Sequence, residues 1–167
     1  MNILNRTTLP IFTYDMETFK NCILFGGKFY GDNREYIFEV SEFKNEAVQL
    51  IQFLNWLATL RPQEPICKVI KGILMNGFNS LDFDYQLIHW IMNNPHLVTY
   101  QSIFEKAQEV INSRDFTGQP RSQIWQTDRL IDQLDLFKMH HFDNKAKMTS
   151  LKNIEFVMRS KLVSDLS

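Results

Sequence analysis

Asp15 and Glu17 are separated by one residue, Met16, and follow the apolar run Leu9-Pro10-Ile11-Phe12-Thr13-Tyr14. In a β-strand, alternate side chains share a face, so the two carboxylates would point the same way, about 6.6 Å apart along the chain. Like charges this close cost free energy unless a cation or hydrogen bonds offset them. A hard divalent cation such as Mg²⁺ or Mn²⁺ is their natural partner, because it takes oxygen ligands and keeps water in its shell. A chain with nineteen Asp and Glu can also produce such a pair by chance, and a solvated strand end is the plain alternative.

A second signal lies in Met75-Asn76-Gly77-Phe78-Asn79-Ser80-Leu81-Asp82-Phe83-Asp84-Tyr85. The apolar residues Val69, Ile70, Ile73, Leu74 and Met75 read as a buried strand that breaks at the turn signal Asn76-Gly77. The chain then passes through Asn79 and Asp84 into a helix-like stretch from Tyr85 to Met92. That pattern places Asp84 at a strand-to-helix turn, near the helix N-terminus.

The D-x-E-T of Asp15 to Thr18, followed by the N-x-x-x-F-D of Asn79 to Asp84, resembles the first two motifs of the DEDD superfamily of 3′–5′ exonucleases. The second motif is most similar to the form in family B DNA polymerase proofreading domains and in stand-alone phage exonucleases. Downstream, Leu130 to Phe137 and then Ser150-Leu151-Lys152-Asn153-Ile154-Glu155-Phe156 are similar to the stretches that follow it, so the likeness runs from about residue 9 to 160.

The resemblance implies an α/β fold, a ribonuclease H-like mixed sheet of about five strands flanked by helices. It implies removal of nucleotides from single-stranded DNA 3′ ends by two Mg²⁺ or Mn²⁺ ions about 3.5–4 Å apart. Asp15, Glu17 and Asp84 would be the catalytic metal ligands, and Met16, Thr18, Asn79 and Phe83 would contact the terminal nucleotide. The spacing from Asn79 favours Asp84 over Asp82 as the ligand and leaves Asp82 exposed. A DNA polymerase, or a C-terminal continuation of the same chain, would be the physical partner.

The family also needs a fourth carboxylate, an Asp four residues after a Tyr or five after a His. The Tyr+4 positions here are Thr18, Arg34, Val40, His89 and Phe104, and the His+5 positions are Asn94, Gln101, Lys145 and Ala146. None is Asp, and Asp165 follows Ser160 and Lys161 at those distances. The expectation is that the third motif lies beyond Ser167, that the chain is one exonuclease-like domain forming the N-terminal portion of a longer protein, and that it is weak or inactive alone. The alternatives are a non-cleaving nuclease-like module for nucleic-acid binding or protein interaction, and a nuclease that cuts internally.

At 167 residues and 44% hydrophobic, the chain can bury a core as one domain. Its fourteen Phe, five Tyr and three Trp must mostly be core, with a few free to stack on unpaired bases. A net charge of −1 supplies no global basic field, so nucleic-acid affinity would rest on a few local phosphate contacts. Lys145, Lys147 and Lys152 are candidates for those contacts. His140 and His141 are neighbours that would face opposite ways in an extended chain, which argues against joint ligation. Cys22 and Cys67 lack metal spacing, and Cys22 reads as a buried small residue. No signal peptide or membrane-spanning stretch is legible, and a cytoplasmic location is expected.

Strands are expected at 9–15, about 20–30 and about 35–40, then a helix at 45–60. A strand at about 70–76 precedes the helix from Asp84. A helix at about 100–112, capped by Thr99, leads to a polar loop at 113–126, a strand at about 130–137 and a helix at about 150–160. Gly26-Gly27-Lys28 lacks the Ser or Thr and the earlier Gly of a phosphate loop and reads as a strand bulge or bend. Of Asp132 and Asp135, one would cap the sheet edge, while Asp135 could support the metal site from behind.

Overall fold

The computed structural model describes residues 10–60, 73–113 and 124–140. The expected loop core at 114–123, the helix at 150–160, Cys67, His141, Lys145, Lys147 and Lys152 lie outside the described residues.

β1 (Ile11–Phe19), β2 (Cys22–Phe29) and β3 (Glu35–Ser41) form an antiparallel meander. α1 (Ala47–Thr59) leads to β4 (Leu74–Gly77), α2 (Asp84–Asn93) and α3 (Tyr100–Asn112), and the chain closes with β5 (Asp132–Asp135) and α4 (Leu136–His140). The sheet order is β3-β2-β1-β4-β5, with β4 and β5 parallel to β1 and to each other. This mixed five-stranded sheet flanked by helices is a ribonuclease H-like α/β arrangement. Among the described residues no helix is long and apolar enough to cross a membrane.

Strand alternation sorts the side chains. Phe12, Tyr14 and Met16 of β1, with Ile23, Phe25 and Phe29 of β2, face the helices and are buried. Thr13, Asp15 and Glu17 face the other way and are exposed. Against the buried face pack Leu50, Phe53, Leu54 and Leu57 of α1, Leu87, Ile88 and Ile91 of α2, and Ile103, Ala107 and Val110 of α3. The aromatic richness is largely spent here: the Phe12 ring centroid lies 5.0 Å from Phe29 and 5.5 Å from Phe53, which stacks on Tyr36 at 4.8 Å.

Several expected boundaries move. β1 runs to Phe19 rather than ending at residue 15, because Lys20-Asn21 alone connects it to β2 and Phe19 pairs with Cys22. Asp15 and Glu17 are therefore mid-strand. Asn76 and Gly77 stay within β4, and the break falls at Asn79, which takes the left-handed conformation (φ 56°) that Asn tolerates. β5 stops at Asp135, and what was expected as strand to 137 is the start of α4. Cys22 is half-buried rather than buried. The Thr99 cap is present as a reciprocal box: the Ser102 amide donates to Thr99 Oγ1 at 3.1 Å and the Thr99 amide to Ser102 Oγ at 2.9 Å.

The expected bulge at Gly26-Gly27 is absent, for both residues continue the β1 and β3 ladders. A Cβ added at Gly27 would sit 2.5 Å from the Phe12 ring and 2.6 Å from the Thr13 carbonyl oxygen, so the packed aromatic core demands glycine there. Among the described residues, a Cβ at Gly26 would meet nothing within 4 Å. Gly27→Ala is expected to destabilise the protein by about 1–3 kcal/mol through overpacking, and Gly26→Ala to stay within about 0.5 kcal/mol of wild type. Urea titration of the two variants checks this; equal effects would refute the assignment of faces.

Candidate carboxylate site at the ends of the parallel strands

β4 pairs with β1 only from Ile11 to Thr13 and ends one residue later at Gly77, still paired with β5, while β1 continues to Phe19. The turn after β4, with its short 3₁₀ segment Ser80–Asp82, folds back beside that flank and delivers Asp84 as the first residue of α2. The site thus forms where parallel strands end and a helix begins, the usual place for chemistry on such sheets.

The turn is held by Asp135. Its Oδ1 accepts the Asn79 amide at 2.9 Å and its Oδ2 the Leu81 amide at 3.0 Å. Oδ1 also accepts the amides of Phe137 at 3.0 Å and Lys138 at 3.4 Å, in the manner of a helix N-cap. Asp135 is 4% exposed and engaged by both oxygens. Nearby, Lys138 Nζ bonds Asp82 Oδ1 at 2.6 Å. Asp82 is buried, contrary to the expectation that it would be exposed, because this ion pair draws it under the turn.

Asp84 is 6% exposed, and its pKa is pushed up to about 8. Burial is the larger cause, followed by the charges of Asp15, Glu17 and Asp135. A carboxylate in the first turn of a helix is ordinarily favoured by the helix dipole, so these terms outweigh that help. Tyr14 reaches across Gly77 beside this group. Its hydroxyl donates to Gln133 Oε1 at 2.7 Å, and burial, then Asp84, hold its pKa well above the ordinary value, so it stays a neutral donor.

Asp15, Glu17 and Asp84 are therefore brought within electrostatic reach of one another, and none of the ion pairs among the described residues involves them. Their donor chemistry fits a hard divalent cation: three carboxyl groups, all oxygen, with no ion pair engaging them among the described residues. Their spacing is looser, for among the described residues no three of His, Cys, Asp and Glu gather closely enough to share a metal ion.

The other expected contacts separate. Met16 is buried among the core side chains, and half-buried Thr18 shares its strand parity, so both side chains lie on the face opposite to Asp15 and Glu17. Phe83 is half-buried against the core. Asn79 enters through its backbone, as a left-handed residue whose amide Asp135 accepts. What the sequence reading missed is a groove of about 520 Å³ that the described residues leave beside Asp15, with Gly26 and Lys28 on one side and Phe78 on the other. No local pattern marks it, because it depends on which residues three strands place side by side.

Asp135→Ala is expected to lose about 2–4 kcal/mol, since it leaves several amides without their acceptor. Chemical denaturation measures this, and a loss under about 0.5 kcal/mol would remove the clamp from the account. Asp84 makes stability depend on pH. The unfolded chain ionises it near the ordinary carboxylate value, whereas the folded chain keeps the proton to about 8. The folded state therefore loses stability as pH rises between these values, at about 1.4 kcal/mol per pH unit. In EDTA, Asp84→Asn is expected to gain on wild type steadily from pH 4 to 8 in thermal melts; a pH-independent difference would contradict the burial of an acidic group here.

No protein-family model matches the chain, and no curated protein matches it either, so what these residues do must be read from their own chemistry.

Proposed function

We propose that the chain is a metal-dependent 3′–5′ exonuclease domain acting on DNA, of low activity in this 167-residue form. The observation that carries this reading is the buried Asp84 carboxyl, lifted to about 8 by burial and by its neighbours Asp15 and Glu17. A stabilising ion pair would have lowered it. Repelling carboxylates on a packed scaffold are what a protein retains when a cation is to supply the missing positive charge.

Bound divalent ions would supply an activated water and neutralise charge developing on the scissile phosphate. Asp15, Glu17 and Asp84 would hold them. Asp84 would give up its proton where a cation is held, and the buried Tyr14 hydroxyl beside it stays protonated. The rigid β1–β2 hairpin fixes Asp15 and Glu17 from one side, and the turn clamped by Asp135 brings Asp84 from the other. Asp135 is committed to backbone amides, so among the described residues Asp15, Glu17 and Asp84 are the carboxylates that would remain for metal, and low activity is expected of these three alone.

The second reading is a nuclease-like module that binds without cleaving, and it is favoured by the looseness of the three carboxylates. Mn²⁺ titration with nuclease assay separates the two. The exonuclease reading expects saturable Mn²⁺ binding with proton release at pH 7, lost in Asp15→Ala and Asp84→Ala, together with slow shortening of a 5′-labelled single strand from its 3′ end. Binding indifferent to both substitutions, with no shortening, would leave the non-cleaving module.

A further inference from the structure

The sheet face that carries Asp15 has a charge pattern that the fold does not use. Cross-strand register sets Gly26 between Asp15 and Ile37, Leu24 between Glu17 and Glu39, and Lys28 between Thr13 and Glu35. On β1 to β3, four carboxylates therefore share this face with a single lysine, Lys28. An aliphatic seam runs between them. Ile37 is 61% exposed, Leu24 is half-buried, and Leu136 at the start of α4 lines the same groove as Ile37. Water is a poor partner for that seam, and a face both acidic and aliphatic calls for a partner both basic and apolar.

The chain itself supplies such a partner. Residues 145–162, outside the described residues, hold Lys145, Lys147, Lys152, Arg159 and Lys161 against Glu155 alone. The helix expected at about 150–160 sets Leu151, Ile154, Met158 and Leu162, spaced by three and four, on one apolar stripe. The segment also leaves from the right place, because α4 starts at the groove with Leu136 and runs to His140. Extended, the stretch 141–150 spans about 35 Å. Five strands measure only about 19 Å across, so the segment can reach every strand of the sheet. Tethering gives it an effective concentration in the millimolar range, which a second copy at micromolar concentration does not match.

We infer that this face docks the chain's own segment 145–162, with the apolar stripe on Ile37, Leu24 and Leu136 and the cations against Asp15, Glu17, Glu35 and Glu39. The segment then provides the counter-charge that ion pairs among the described residues do not give Asp15 and Glu17. Lysines that the sequence offers for phosphate contacts are engaged by the protein's own carboxylates instead. The docking does not rest on the exonuclease reading, since it needs neither metal nor nucleic acid.

Photo-crosslinking of the full-length chain in EDTA, without nucleic acid, tests this. A benzophenone amino acid in place of Ile37 is expected to crosslink to peptides from 145–162 of the same chain, read by mass spectrometry after digestion. The same label in place of Lys28, which is exposed and lines the groove, keeps the test valid if position 37 tolerates no bulk. In place of Val48, 63% exposed on α1 and so on the helix side of the sheet, the label is expected to leave the segment unmarked. Met158→Asp combined with Leu162→Asp is expected to abolish the crosslink by putting charge on the stripe, and high salt to lower its yield by screening the cations. A crosslink between two copies assigns the face to a second chain and overturns the proposal. Absence of any crosslink to 145–162, equal marking from position 48, or a yield indifferent to the double substitution overturns it as well. The nuclease assay decides the exonuclease reading separately, because the crosslink is read with no metal present.

Discussion

The carboxylate of Asp135 ties together parts of the chain that are distant in sequence. From the end of β5 it accepts amides of Asn79 and Leu81 across the turn after β4, and amides of Phe137 and Lys138 at the start of α4. Hydrogen bonds from backbone N–H to a charged, buried acceptor are stronger than neutral ones, and a buried charge is tolerated only when so engaged. The left-handed Asn79, the pair between buried Asp82 and half-buried Lys138, and the position of Asp84 all sit within this clamp. Two acidic residues at the site thus do opposite things. Asp135 is satisfied by backbone amides and builds, while Asp84 is buried beside carboxylates that push its pKa up.

The sheet separates these tasks by face. Toward the helices it presents a nearly continuous aromatic layer in which even a methyl group at Gly27 would collide with Phe12. Away from them it presents Thr13, Asp15 and Glu17 beside a groove that the other described residues leave unfilled. Stability comes from the first face, where apolar area leaves water and rings pack at native density. The second is free to carry charge and open space because the first is so closely filled. Tyr14 joins the two, being buried with the core rings while its hydroxyl is spent on Gln133 near Asp84.

Much of this was legible before any coordinates. Period-two alternation placed Asp15 and Glu17 on one face, and the same alternation puts the Met16 and Thr18 side chains on the other. Asp84 at a strand-to-helix turn followed from an apolar run ending in turn residues. The end of β1 was misplaced because Lys20-Asn21 carries no glycine signature of a tight hairpin. Asp135 could have been recognised as a helix cap from the stretch Leu136-Phe137-Lys138-Met139 behind it. Burial of Asp82 and the groove over Gly26 were beyond reach, since the first depends on Lys138 arriving from α4 and the second on the register of three strands.

The two-residue link between β1 and β2 also bears on the order in which the molecule assembles. A hairpin closed by so short a loop needs only local contacts and forms early, so Asp15 and Glu17 are in place before β4 and β5 dock. Asp84 reaches them only after the long-range pairing of β4 with β1 and the closure of β5 over the turn. Electrostatic repulsion is thereby deferred to the last stage of folding. Protonation of Asp84 then acts on the final docking step and on the rate of its reversal, while the collapse of the aromatic core goes on without it.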